Sequence, residues 1–402
     1  MLNDIYETRQ KFSKSEDFID LISTDLSKIY SYPSDKLNSY IKKYIDSRFY
    51  EPDSKGILKA RETISKYTNK KNINGKLNPD EIFITASTSE SYNLIFQTLS
   101  KSNDTKEKLE VLLPNPGYPL FEQLTKYSNL EAKYYRQEES KNWEIDLNSI
   151  QDNITCKTKF LVLISPNNPT GSVISKEMFK KICQIASQSN IILIVDEVFN
   201  EFTYEKDISW DLSVFNLYPT LVMFKLNGIS KLFSLPDLKL AWIEIYGNKE
   251  KKDEIVEELE INNDMFLSAN SITQNILPNL FEDFSTVEDI KEMLIKSREI
   301  VDKTLQELNK DNIIEYILPT AGIHLILSTK KEYITNQKSL EEIEEEFVVR
   351  LTESEKVFIH PGFFYDYHSG GRLSFVMSIA NDPNKLKTGL ERLFKFLRTF
   401  NG

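Results

Sequence analysis

FLVLISPNNPTG (residues 160–171) and IILIVDEVF (residues 191–199) each run an unbroken apolar segment directly into a polar one. A strand with one wet face alternates apolar and polar residues. A run without alternation belongs to a strand buried on both faces, as in a mostly parallel sheet covered by helices. EIFIT (81–85), VLL (111–113) and LVMF (221–224) share this texture. Amphipathic stretches lie between them. After EIFIT, Tyr92, Ile95, Phe96 and Leu99 have the i, i+3, i+4, i+7 spacing of a helix packed on a sheet. These runs predict α/β layering with a mostly parallel central sheet flanked by helices.

Outward from this centre the texture changes. Beyond about residue 280 come charged amphipathic segments such as KSLEEIEEEFVVRL (338–351). Short strand-like pieces, HLILS (324–328) and RLSFVMS (372–378), and a final helical stretch, NKLKTGLERLFKFL (384–397), complete this part. They predict a smaller α+β domain of residues 281–402 joined by residues 1–45, with the large domain spanning 46–280. A chain of 402 residues is long enough for two cores.

Composition narrows the function. The 61 acidic residues outnumber the 50 basic ones, for a net charge of −11, which speaks against a nucleic-acid footprint or a polybasic membrane patch. No apolar run is long enough to cross a membrane. Two cysteines, and an N-terminus (MLNDIYETRQ) without a signal-peptide core, point to a reducing cytoplasm. Three histidines with no HExxH and no CxxC give no support for a metal centre. Small-molecule ligands and an organic cofactor are therefore expected.

Five places could carry that chemistry. Ser87–Glu90 (STSE) sits between a strand and a helical stripe. Ser87 can cap the helix while Glu90 reaches back, and the helix amides with Thr88 and Ser89 suit a phosphate. An ordinary capped helix explains the same residues. Asp196 follows IILIV, where ligands gather outside the carboxyl ends of parallel strands, and can hold a cationic ring nitrogen. A loop acid explains it equally. SPNNPTG fixes a tight turn that presents Asn168, although a surface turn is also compatible. Lys231 lies among apolar neighbours in ISKLFSLPDLKLAWI, and desolvation would make it a better nucleophile toward an aldehyde. It is one of 41 lysines. Arg372 is one of only nine arginines. Its planar fork suits a bidentate grip on a carboxylate, with a structural ion pair as the competitor.

Taken in order, SPNNPTG, the DEV after IILIV, and the serine-preceded Lys231 with its LPxLxLxW pattern resemble the pyridoxal-phosphate (PLP) enzymes of fold type I. More narrowly, they resemble the class I/II aminotransferases over nearly the whole chain. The resemblance implies that Lys231 forms the Schiff base to PLP and later shuttles a proton, with Ser230 beside it at the cofactor. It places Asp196 on the pyridine nitrogen, Asn168 on the phenolic oxygen and near the substrate, and Tyr118 of NPGYP against the ring face. Ser87, Thr88, Ser89 and Lys239 would surround the phosphate. Tyr50 of FYEPDSKG would reach the phosphate of a neighbouring subunit, which requires a homodimer. Arg372 would clamp the α-carboxylate of an amino acid whose amino group passes to a 2-oxo acid.

The chain departs from the family pattern at four places. Phe199 replaces a tyrosine that donates to the phenolic oxygen, Ser87 a glycine, Gly228 a serine, and Lys239 an arginine. Phe199 should raise the pKa of the lysine–cofactor linkage, and Lys239 gives up bidentate geometry. A lyase or decarboxylase on the same scaffold is the alternative enzyme. A non-catalytic PLP-binding protein is the alternative outside catalysis. Neither GxGxxG nor GxxxxGK[ST] occurs, which removes the usual nucleotide signatures.

Overall fold

A computed structural model describes residues 2–46, 52–100, 107–205, 208–333 and 338–400. The main sheet contains β1 (Ile82–Thr85), β2 (Glu110–Asn115), β3 (Glu131–Glu138), β4 (Glu144–Ile145), β5 (Thr158–Ile164), β6 (Ile192–Asp196), β7 (Val222–Gly228) and β8 (Ala241–Gly247). Its spatial order is β1-β8-β7-β6-β5-β2-β3-β4. The four pairings that join β7, β6, β5, β2 and β3 are parallel. β8 runs antiparallel to both β7 and β1, and β4 runs antiparallel to β3.

The apolar runs bury both faces of this sheet. Phe160, Val162 and Ile164 of β5 join one buried cluster, while Leu161 and Leu163 join the other. Ile192 and Ile194 of β6 divide from Leu193 and Val195 in the same way. Tyr92, Ile95, Phe96 and Leu99, on the helix Thr88–Ser100, pack on the first of these faces.

The later part of the chain folds as a second, antiparallel sheet. It comprises β9 (Ile314–Tyr316), β10 (His324–Glu332), β11 (His360–Pro361) and β12 (Arg372–Ser378) in the order β9-β10-β12-β11. Helices Ser285–Leu308, Leu340–Glu355 and Pro383–Thr399 accompany it. The N-terminal segment is tied to this part: Ile19–Asp20 pairs with Val357–Phe358, and Arg392 donates to Asp17 O at 2.9 Å. Helix Ser34–Asp46 instead reaches back toward the large sheet's helices, with Lys36 Nζ 2.5 Å from Asp283 Oδ2.

Polar groups inside the main sheet are matched. Lys225 on β7 is bracketed by Glu197 at 2.9 Å and Glu244 at 3.4 Å, and all three side chains are 3–4% exposed. Thr68 Oγ1 donates to Glu244 at 2.6 Å, Tyr246 Oη donates to it at 2.7 Å, and Trp210 Nε1 donates to Glu197. A buried pair broken on one side leaves an uncompensated charge, at a cost of about 3–5 kcal/mol. Urea denaturation of Lys225→Met should therefore show a loss of about that size. The triple variant carrying Glu197→Gln and Glu244→Gln as well should recover more than half of it. A single-variant loss below about 1 kcal/mol would contradict the isolation of this cluster from water.

Candidate active site

Because β1, β2, β5, β6 and β7 point the same way, the segments after them converge on one edge of the sheet. A cavity there is lined by Ser87, Thr88 and Ser89 after β1, and by Tyr118 after β2. Asn168 lines it after β5, Asp196 and Phe199 after β6, and Ser230 and Lys231 after β7. Nine of the residues singled out in the sequence thus meet in one place.

Lys231 sits in a single helical turn, Ile229–Leu232, that opens from Gly228. Its Nζ donates to Thr24 O at 2.6 Å, so the N-terminal segment closes against it. Burial depresses its pKa to about 8, partly offset by Asp25. An amine with that pKa is neutral often enough near pH 7 to attack a carbonyl. The absence of serine at 228 has a local reason. A Cβ there would come 3.0 Å from Leu240 O and 3.1 Å from Ala241 Cβ.

Asp196 ends β6 and is 4% exposed. Its Oδ1 accepts from Val198 N at 3.2 Å, and Tyr92 Oη donates to Oδ2 at 3.4 Å. Among the described residues it forms no ion pair. Desolvation accordingly raises its pKa to about 7. Such a carboxyl is ready for a cationic partner.

The SPNNPTG loop divides its two asparagines between structure and ligand. Asn167 Oδ1 accepts from Thr170 N at 3.2 Å and from its hydroxyl at 3.0 Å, which locks the turn. The buried Asn168 Oδ1 has no partner among the described residues. Gly171 has φ +68°, and a Cβ there would come 2.3 Å from Pro319 Cβ, so only glycine fits. At the β1 end, Ser87 Oγ accepts from Glu90 N at 3.2 Å. Glu90 reaches back to Ala86 N at 2.8 Å, one residue before the cap.

Three expected residues do not join this group. Tyr50 lies outside the described residues. Lys239 is exposed, with φ +49°, and does not line the cavity. Arg372 is held elsewhere: its guanidinium pairs with Glu315, sits 3.4 Å from Glu139 Oε2, and donates through Nε to Ser369 O at 2.9 Å. Acidic partners occupy the fork that the sequence reading assigned to a substrate carboxylate. Conversely, Thr24 and Tyr92 line the cavity without having been singled out. Tyr92 belongs to the helix's apolar stripe, and only its hydroxyl hinted at a polar duty. Nothing in the sequence marks Thr24.

An amine nucleophile and an unpaired buried acid at the carboxyl edge of a parallel sheet define a site for an aldehyde cofactor with a basic ring nitrogen. The model of the family "Aminotransferase class I and II" matches residues 30–392, and the chain belongs to that family. It is 28% identical to glutamate-pyruvate aminotransferase AlaA of Haemophilus influenzae, over 87% of this chain and 82% of that protein. It is 27% identical to tyrosine aminotransferase of Dictyostelium discoideum, over 92% and 85%. In fold it is similar to alanine aminotransferase from Pyrococcus furiosus, with a TM-score of 0.86 and 24% identity, covering 99% of this chain and 96% of that one. The chain is thus a PLP-dependent transaminase that transfers amino groups between amino and oxo acids. Its residues fit PLP, since Lys231 offers the amine, Asp196 lacks a cation, and Asn168 leaves an oxygen unmatched.

Two outcomes follow from this geometry. The folded state keeps the Asp196 proton up to about pH 7, whereas the unfolded chain releases it near the ordinary aspartate value of 3.8. Between these values the folded state binds more protons, so this group's contribution to stability falls as pH rises. Asp196→Asn should therefore stabilise the cofactor-free protein at pH 7.5 by up to about 4 kcal/mol and flatten its stability between pH 4 and 7. Weaker PLP binding should accompany this, and an unchanged pH profile in thermal unfolding would contradict it. Arg372→Ala should change KM for an amino donor by less than about twofold. It should also lower the unfolding midpoint by exposing Glu139 and Glu315 to unpaired charge. A KM rise of tenfold or more would return Arg372 to the substrate.

Proposed function

We propose that the cavity around Lys231 is the transamination centre and that its residues divide the work by position. The observation that carries this is the shared cavity of a depressed lysine and a raised aspartate, which line it from the ends of β7 and β6. Lys231 would hold the cofactor covalently and, once displaced by substrate, would carry the proton taken from the substrate's α-carbon. Asp196 would keep the ring nitrogen protonated, and PLP when bound would supply the electron sink. Asn168 faces the cofactor and the incoming acid. Tyr118 covers the ring face, and Phe199 packs where it offers no hydroxyl. Ser87, Thr88, Ser89 and Ser230 surround the phosphate, with the start of helix Thr88–Ser100 adding its amide dipoles.

This reading extends to organisation and context. The division into 46–280 and 1–45 with 281–402 puts the cavity at the joint, since Thr24 from the N-terminal part reaches Lys231. A homodimer would bring Tyr50 to the phosphate of the neighbouring subunit, Lys239 is the basic residue expected at the phosphate of its own chain, and the cytoplasm is the expected location. Among the described residues no helix is long and apolar enough to cross a membrane. Alanine, glutamate and tyrosine are the donors to try first, because the similar proteins are glutamate-pyruvate, tyrosine and alanine aminotransferases.

The test uses purified holoenzyme. A visible absorbance band should be present, and Lys231→Ala should lack it in amine-free buffer and lose at least about 10³-fold in turnover. At least one of the three donors should convert the band to that of the aminated cofactor, and pyruvate or 2-oxoglutarate should reverse the change. Release of ammonia or carbon dioxide without conversion would show a different reaction.

A further inference from the structure

Asp196 is held at both of its carboxyl oxygens, and one of the two donors comes from a different element. Val198 N, two residues on in the same loop, donates to Oδ1 at 3.2 Å, whereas the Tyr92 hydroxyl reaches Oδ2 at 3.4 Å. The helix that presents Thr88 and Ser89 to the cavity carries Tyr92 one turn further in, where it lines the cavity too. Its side chain is 1% exposed. Phe121 meets its ring with centroids 5.1 Å apart and an interplanar angle of 61°, and Phe96 at 5.9 Å and 48°. Packing thus fixes the ring, and only the hydroxyl hydrogen is free to turn. Burial and the neighbouring Asp196 hold the phenol's pKa well above its ordinary value, so the group donates to the carboxylate without becoming a charge itself. The apolar stripe of the helix needs the ring at this position; it does not need the oxygen.

At 3.4 Å the contact is long, since O–H···O bonds usually span about 2.5–3.0 Å, and its strength is modest. Its value lies in where it acts. Glu197, the chain neighbour of Asp196, disfavours a second carboxylate, but its own charge is matched by Lys225 at 2.9 Å. The flanking strands bring Ile164 and Leu226 level with Asp196, and Lys231 lines the cavity from the end of β7. Tyr92 and Val198 N are the two hydrogen-bond donors that favour the ionised form against burial. Each carboxylate oxygen accepts twice, so both keep a free acceptor site after these bonds. We propose that Tyr92 is a positioning residue whose hydroxyl holds the Asp196 carboxylate ionised and oriented for the cofactor's ring nitrogen. The inference rests on the reading of the Lys231 cavity as the cofactor site. Its consequence depends on pH. Below the Asp196 pKa of about 7, taking up a cationic ring nitrogen requires the carboxyl to give its proton to the ring or to water, and a donor that favours the carboxylate then adds to binding. Above that value the carboxylate already exists, and the same donor contributes nearly equally with and without the cofactor.

Tyr92→Phe removes that one oxygen and keeps the ring, so it tests the bond without opening a cavity. In cofactor-free protein, thermal unfolding followed from about pH 4 to about pH 9 reads the Asp196 proton. A folded-state pKa above the unfolded value costs stability as pH rises, and the loss ends near the folded pKa. In Tyr92→Phe that end point should move up by at least about half a pH unit, equivalent to about threefold in the ionisation equilibrium. The shift should vanish when both proteins also carry Asp196→Asn. PLP binding, titrated through the visible band, should weaken at least about threefold in Tyr92→Phe at about pH 6, and less than about 1.5-fold at about pH 8.5. An unmoved unfolding profile would overturn the proposal. So would an equal loss of PLP affinity at both pH values, or a loss that persists in the Asp196→Asn background, because either would place the hydroxyl's effect on packing or directly on the cofactor. Failure of the cofactor reading would look different: the unfolding profile of Tyr92→Phe would still move, while wild-type protein mixed with PLP would give no band that depends on Lys231.

Discussion

Burial of the central sheet on both faces is the constraint from which the chemistry follows. A strand covered by helices above and below can expose polar groups only at its ends. At the carboxyl edge those ends are still shielded by the loops of neighbouring strands. Among the described residues Asp196 stands at that edge without an ion pair, and Lys231 is held one helical turn beyond β7. The same desolvation acts on them in opposite senses, raising an acid and lowering a base toward the same range of pH. A few residues away, Lys225 and its two glutamates show the other solution available to buried charge. There the partners are supplied by the chain itself, and the cluster is a structural element with nothing left to offer a ligand.

That contrast explains why much of the site was legible in the sequence. Unbroken apolar runs located β1, β2, β5, β6 and β7, and the residues just past each run were the residues of the cavity. Position after a doubly buried strand is a strong cue because it reflects packing that the whole sheet enforces. β3 and β8 carried no such cue. β3 reads EAKYYRQE and is mostly exposed or half-buried, while AWIEIYG of β8 includes Glu244, whose burial depends on Lys225 across the ladder. A run interrupted by a charge looks like a surface segment unless the partner charge is known.

Arg372 shows what reasoning from residue type leaves open. Scarcity of arginine argued for a dedicated role, and the fork does have one. It joins Glu315 on β9 to Glu139, which follows β3, and Tyr367 donates to the same Glu139 at 2.8 Å. In the register of β12 with β10, Arg372 pairs with Glu332 and Ser378 with His324, and about 20 Å of extended strand separates the two ends. A sequence shows that an arginine begins a strand but not which acids its fork will meet there.

His324 was passed over for the opposite reason. In the sequence it counted only against a metal centre, as one of three histidines without a ligand pattern. Its significance comes from contacts between distant segments: the Pro319–Gly322 turn against Gly171 and Phe202, and the imidazole against Phe199. Each contact is ordinary packing. Together they leave a polar ring packed against the cavity-lining Phe199, with both nitrogens unmatched among the described residues.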